Sequence, residues 1–165
     1  MPARPLAAAL LALVPASLAA ARIDVRPGPG APIAAAIARA TAGDTLVLHP
    51  GTYREPTVVV DRSLVLLGRP GAVLDGEGAR ELLVVRAPHT TVQGLAFRAT
   101  GESGMEDRAA IRVENTGDCR IVGNRIDRAS FGIYLARVDG CEVRGNVVEG
   151  ARVAQLEGGN GIHLW

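Results

Sequence analysis

Two cysteines, three histidines and scattered carboxylates are the residues of this chain that could carry chemistry. Cys119 and Cys141 stand 22 positions apart, without the C-x-x-C or C-x-x-x-C spacing of a metal cluster. On neighbouring rungs of a stacked sheet they would lie about 4.8 Å apart with parallel Cβ vectors, wider than the ~3.5–4.5 Å between Cβ atoms that a disulfide prefers. Stacked buried thiols are therefore the favoured reading, with a disulfide and a soft-metal site as the alternatives. Met105 lies in the polar loop "TGESGMEDR" and His163 in the terminal "GNGIHLW". An exposed thioether and an exposed imidazole suit copper as soft and borderline ligands, so these two are the copper candidates; ordinary solvated side chains are the plainer alternative. His49 in "LHPGTY" and His89 in "APHTT" fall at turns.

Carboxylate chemistry is poorly served. Glycoside hydrolysis needs a pair flanking the scissile bond, and the nearby pairs are Asp75 with Glu77, Glu106 with Asp107, and Glu114 with Asp118. Only "NTGD" bears a superficial likeness to a polygalacturonase motif, and neither an adjacent aspartate pair nor Gly-His-Gly follows it. Asp61, Asp75 and Asp139 adjoin glycines or strand ends, where turn roles are expected. No aspartate cluster suggests calcium, lysine is absent, and aromatics make up 3% of the chain, too few for sugar platforms. The expectation is a protein without catalytic residues of its own.

The elements that must position these residues announce themselves by repetition. "CRIVGNRI" at Cys119 returns as "CEVRGNVV" at Cys141, and Ile111 and Val113 return as Ile133 and Leu135, each 22 later. Ile162-His163-Leu164 repeats Ile133-Tyr134-Leu135 at 29, so "EGARVAQLEGG" holds an insertion of seven; Val92-Gln93-Gly94 precedes Ile121-Val122-Gly123 by 29. A period of 20–30 with several short strands per unit is the signature of a solenoid. A leucine-rich consensus is missing, so the expected fold is all-β, a parallel β-helix whose equivalent residues pile into ladders. Aliphatics then stack inside, with Phe97, Ile126 and Val148 in one inward slot. Gly123 and Gly145 turn corners with positive φ, and Asn124 and Asn146 exchange amide hydrogen bonds along the axis.

Composition agrees: 48% hydrophobic with few aromatics means a core of small branched side chains, and 20 glycines with 10 prolines mean many turns. At 165 residues there is room for one domain, over 33–165. It opens with a short amphipathic helix, Ile33 to Asp44 and closed by Gly43, that caps the N-terminal end; the chain stops inside a strand-like run, as expected of an incomplete solenoid. Residues 22–32 read as an extended leader. Residues 1–21 have the layout of a secretory signal peptide, with Arg4, an apolar run from Leu6 to Ala20 interrupted by Pro15, and small residues suited to cleavage after Ala19 or Ala21. A bacterial periplasm is the expected location. Net charge is +1 with both signs interspersed, and nucleic acid is not an expected partner.

Beyond these patterns, "GDTLVLHPGTYREPTVVVDRSLVLLGRPGAVLDGEG", "FGIYL", "GNVVEG" and the closing "GNGIHLW" together resemble the NosD family over residues 33–165. The resemblance implies a right-handed β-helix with repeats of the carbohydrate-binding and sugar-hydrolase type. It also implies a non-enzymatic accessory role in maturing nitrous oxide reductase. Its implied partners are apo-nitrous oxide reductase, a membrane ABC transporter complex and a lipoprotein copper chaperone, with copper, held transiently, or sulfur as the species delivered. Family members are usually well over twice this length, so the match covers an N-terminal part. A carbohydrate-binding or carbohydrate-active β-helix is the alternative.

Overall fold

The computed structural model describes residues 19–101, 107–150 and 160–165. The signal-peptide expectation falls largely outside them, as do Met105 and Glu106. Strand β1 (Arg22–Val25) leads to helix α1 (Pro32–Arg39), and the rest of the chain winds through five coils of three strands. The first coil is β2 (Thr45–Leu48), β3 (Gly51–Tyr53) and β4 (Val58–Val60); the second is β5 (Val65–Gly68), β6 (Ala72–Asp75) and β7 (Leu83–Val85). The third holds β8 (Thr91–Gln93), β9 (Ala96–Arg98) and β10 (Ala109–Gly117). The fourth holds β11 (Arg120–Val122), β12 (Arg125–Ala129) and β13 (Phe131–Asp139), and the fifth β14 (Glu142–Arg144), β15 (Val147–Gly150) and β16 (Ile162–Leu164).

Like strands stack on like, always in parallel, and give three sheets: β1-β2-β5-β8-β11-β14, β3-β6-β9-β12-β15 and β4-β7-β10-β13-β16. The fold is therefore the parallel β-solenoid that the repeat implies. Thr45, Val65, Thr91, Arg120 and Glu142 share a ladder, so successive coils take 20, 26, 29 and 22 residues. Ile133 pairs with Ile162 across the seven-residue insertion, as the spacing of 29 requires.

Alternation along each strand sends one aliphatic ladder per sheet inward. Leu46, Leu66, Val92 and Ile121 form one, Leu83, Ile111 and Ile133 another, and Leu74, Phe97 and Ile126 the third, all buried. Burying a side chain of this kind is worth about 1.5–3 kcal/mol, so the ladders fix the register. The corners before β12 and β15 are turned by Gly123 (φ 63°) and Gly145 (φ 64°), a conformation that costs glycine nothing.

Helix α1 closes the first end of the core with Ile33, Ala36 and Ile37. It is shorter than the pattern Ile33 to Asp44 suggests, because Asp44 folds the chain back. Its Oδ2 accepts the backbone N–H (2.8 Å) and hydroxyl (3.0 Å) of Thr41, while its Oδ1 accepts the N–H of Ala21 (2.7 Å). The stretch 22–32, expected as an extended leader, begins with a strand paired in register to β2.

The cysteines are a correction. Cys119 and Cys141 are joined in a disulfide with Cα atoms 4.4 Å apart, where stacked thiols were the favoured reading. They sit at corners just before β11 and β14 rather than inside the strands. Corner residues are not bound to the parallel Cβ vectors of a ladder, and the objection to a disulfide does not apply there.

Candidate functional site

The outer face of the third sheet carries the site. Outward positions of its strands form a column in register: Val59, Val84, Arg112, Tyr134 and His163. Tyr134 and His163 rings stack at 4.8 Å between centroids, and Phe131 meets both edge-on, at 5.6 and 5.5 Å. Trp165 lies parallel to His163 at 6.3 Å. Three of the five aromatic residues in the chain thus share one surface, although their scarcity argued against any platform. Offset and edge-on contacts of this kind each add about 0.5–1.5 kcal/mol.

Arg112 ends the stack, with its guanidinium carbon 4.4 Å from the Tyr134 centroid. Its Nε donates to Glu81 Oε1 (2.7 Å) and its Nη2 to the carbonyl of Asp107. Glu81 Oε1 also accepts the N–H of Ala109 (3.3 Å). The cation is held by a carboxylate, a carbonyl and an aromatic face, in a cleft also lined by Thr57, Arg80 and Arg108. Tyr134 is 7% exposed and Trp165 77%, so the column grades from a packed base to an open rim. Surfaces built of Trp, Tyr and Arg on a rigid frame favour recognition. Arg112 and Glu81 spend their charges on each other.

His163 stands on the outer face, as alternation predicts, but it is half-buried between its ring neighbours rather than fully solvated. Its Nδ1 lies 3.0 Å from Asn160 Nδ2. Ligating a metal through Nε2 would require hydrogen on Nδ1, and so an Asn160 amide turned to present its oxygen. Met105 lies outside the described residues. Among the described residues, no group of three or more His, Cys, Asp or Glu side chains could hold a metal ion.

Among the described carboxylates singled out by sequence, Asp75 and Glu77 meet at Arg54 (3.4 and 3.5 Å), while Glu114 and Asp118 take separate partners. Asp75 pairs with Arg98 (2.8 Å) and Arg54 (3.4 Å), Glu77 with Arg80 (3.0 Å), Glu114 with Arg86 (2.7 Å), and Asp118 lies 4.0 Å from His89. Burial would raise the Asp75 carboxyl, but the Arg98 hydrogen bond and the Glu77 N–H leave it below its ordinary value. The aromatic column is what sequence reasoning overlooked. Its signal was the alignment of Tyr134 with His163 at 29, which extends back to Arg112 by a step of 22.

The chain is 37% identical, over 158 residues and 94% of its length, to the probable ABC transporter binding protein NosD of Pseudomonas aeruginosa. The chain belongs to the NosD family. The protein of the same name from Stutzerimonas stutzeri is 28% identical over 120 residues, 72% of the chain. The chain spans 35% and 27% of the length of these two NosD proteins, both named as binding proteins. No family model matches it. Among solved structures, that of the PL6 family alginate lyase AlyGC is similar at a TM-score of 0.45 and 18% identity, covering 73% of this chain and 20% of that one. No described helix is long and apolar enough to cross a membrane.

Proposed function

We propose that this NosD-family chain acts in the periplasm as a non-enzymatic accessory factor for nitrous oxide reductase. It would assist delivery of copper or sulfur for copper-centre assembly, together with an ABC transporter and a lipoprotein copper chaperone. The observation that carries the reading is the 37% identity over nearly the whole chain to a protein named as an ABC transporter binding protein. Two features support it. The Cys119–Cys141 disulfide suits an oxidising compartment, and the Arg112–Tyr134–His163 column is a rigid recognition surface that a partner can read. In this reading His163 and Met105 are the candidates for transient copper contact. The test is the copper content of nitrous oxide reductase purified from cells lacking this gene. Reductase that is copper-depleted, and restored by the gene in trans, is expected; reductase of normal copper content and activity overturns the role.

A second reading, carbohydrate binding, draws on one observation, the gathering of Phe131, Tyr134 and Trp165 on one face. It predicts calorimetric binding of an acidic polysaccharide that Trp165→Ala abolishes.

A further inference from the structure

We propose that Cys119 and Cys141 form a redox-gated Cu(I) site, closed while they are a disulfide and open as a two-coordinate dithiolate once reduced. The two residues are joined across adjacent coils with Cα atoms 4.4 Å apart. Cutting the sulfur–sulfur bond leaves the coils stacked, because other ties bracket it. Glu142 donates its N–H to the Cys119 carbonyl (2.8 Å), Asp118 its N–H to the Asp139 carbonyl (2.9 Å), and Arg120 pairs with Glu142 (3.2 Å). With side chains swung parallel, the sulfurs would stand about one rung apart. A metal–sulfur bond of about 2.3 Å makes a linear sulfur–metal–sulfur unit about 4.6 Å across, which matches that step.

The number of donors selects the metal independently of the accessory role. Zinc and iron–sulfur centres need about four ligands, and no third His, Cys, Asp or Glu joins the pair among the described residues. Soft thiolates alone, two in number, suit Cu(I). The pair is also asymmetric. Cys119 is 1% exposed inside the core, while Cys141 is half-buried and its sulfur accepts the N–H of Cys119 (3.1 Å). That donor favours a thiolate on Cys141.

Opening needs a dithiol reductant. Its thiolate attacks Cys141 Sγ, the sulfur–sulfur bond breaks, and Cys119 leaves as thiolate and takes up a proton. The second thiol of the reductant then resolves the mixed disulfide. Two electrons and two protons pass to the protein, and the reductant becomes a disulfide. Cu(I) then binds without change of oxidation state and displaces the two thiol protons.

The experiment is anaerobic Cu(I) titration of the purified chain against a chromogenic chelator, with the protein oxidised or reduced by a phosphine that is then removed. Circular dichroism is recorded alongside. One Cu(I) per reduced chain is expected, with thiolate-to-copper absorption in the ultraviolet. That absorption should be missing from the oxidised chain and from the reduced Cys119→Ser and Cys141→Ser variants. A reduced chain that binds no Cu(I), that binds it equally when oxidised, that keeps it in either serine variant, or that loses its β-sheet signal on reduction overturns the proposal. Copper bound by the oxidised chain and lost in His163→Ala would overturn the gate while favouring the accessory reading; the failure of the two is thus distinguishable.

Discussion

Asn124 donates from Nδ2 to Asn146 Oδ1 at 3.0 Å, linking the fourth coil to the fifth through stacked side-chain amides. Asn124 is 2% exposed, and its Oδ1 also accepts the N–H of Leu95 (3.0 Å) while its Nδ2 reaches the Val92 carbonyl (3.0 Å). Asn124→Ala strands a buried donor and a buried acceptor at once, each costing about 1–3 kcal/mol. We expect a loss of about 2–4 kcal/mol in urea unfolding. Asn146→Ala should cost less, because its Nδ2 contact to the Ile121 carbonyl (2.7 Å) lies at a half-buried rung. Equal losses would mean that burial does not set the strength of the ladder.

Thr116 offers the opposite sign. Its Oγ1 is buried without a hydrogen-bond partner, and the residue in register one coil on is Val138. Thr116→Val keeps the shape and removes an unsatisfied hydroxyl, so a gain of about 1 kcal/mol is expected, with unchanged m-value. Thr100→Val is the contrast: that hydroxyl accepts the Ser130 N–H (3.0 Å), and its removal should cost about 1–2 kcal/mol. A destabilised Thr116→Val would show that the hydroxyl is satisfied in solution.

What could be read beforehand was whatever the ladder repeats. Ile133 with Ile162, Cys119 with Cys141 and Asn124 with Asn146 align because equivalent rungs demand the same size, corner or hydrogen bond. Features that depend on one coil's neighbours were hidden. Ala99 and Arg128 hold register-equivalent positions at φ 54° and 51°, yet share no residue type that would flag them. The end of helix α1 depends on Asp44 reaching Ala21, and the disulfide on corner geometry rather than on the ladder rule. The aromatic column was obscured by counting aromatics instead of placing them, although Tyr134 and His163 already stood aligned.

Acid should loosen the first strand. Asp24 Oδ1 accepts Arg22 Nη2 (3.1 Å) and lies 2.7 Å from His49 Nε2. The hydrogen bond from Arg22, then that of His49, holds its carboxyl at about 2 instead of 3.8. A depressed carboxyl stabilises the fold above its unfolded value, and that contribution fades as pH falls from about 3.8 toward 2. Asp24→Asn should flatten this acid limb of the Tm-against-pH curve. Hydrogen exchange over Arg22–Val25 should quicken in the wild type across the same interval, and superimposable limbs would exclude the tie.

Glu55 runs the other way. Ala31 gives helix α1 no side-chain cap and Pro32 has no N–H, so the first donors are met from 22 residues away: Glu55 Oε1 accepts Ile33 N–H (2.7 Å) and Oε2 accepts Ala34 N–H (3.1 Å). The carboxylate is 5% exposed. Burial pushes it above its ordinary 4.5, and the two N–H donors offset that only in part. A raised carboxyl holds its proton more tightly in the folded state, so its contribution is fullest below 4.5 and declines as pH climbs through the raised value. Glu55→Gln keeps an acceptor without a charge to bury. Its stability relative to the wild type should therefore improve from pH 4 to pH 7, from an initial deficit of about 1 kcal/mol for the lost second acceptor. Glu55→Ala leaves both N–H groups unmet and should cost about 2–3 kcal/mol at either pH. Thermal melts of the three proteins at the two pH values decide it. A wild-type advantage over Glu55→Gln that grows with pH would mean that the helix N-terminus outweighs burial at this carboxylate.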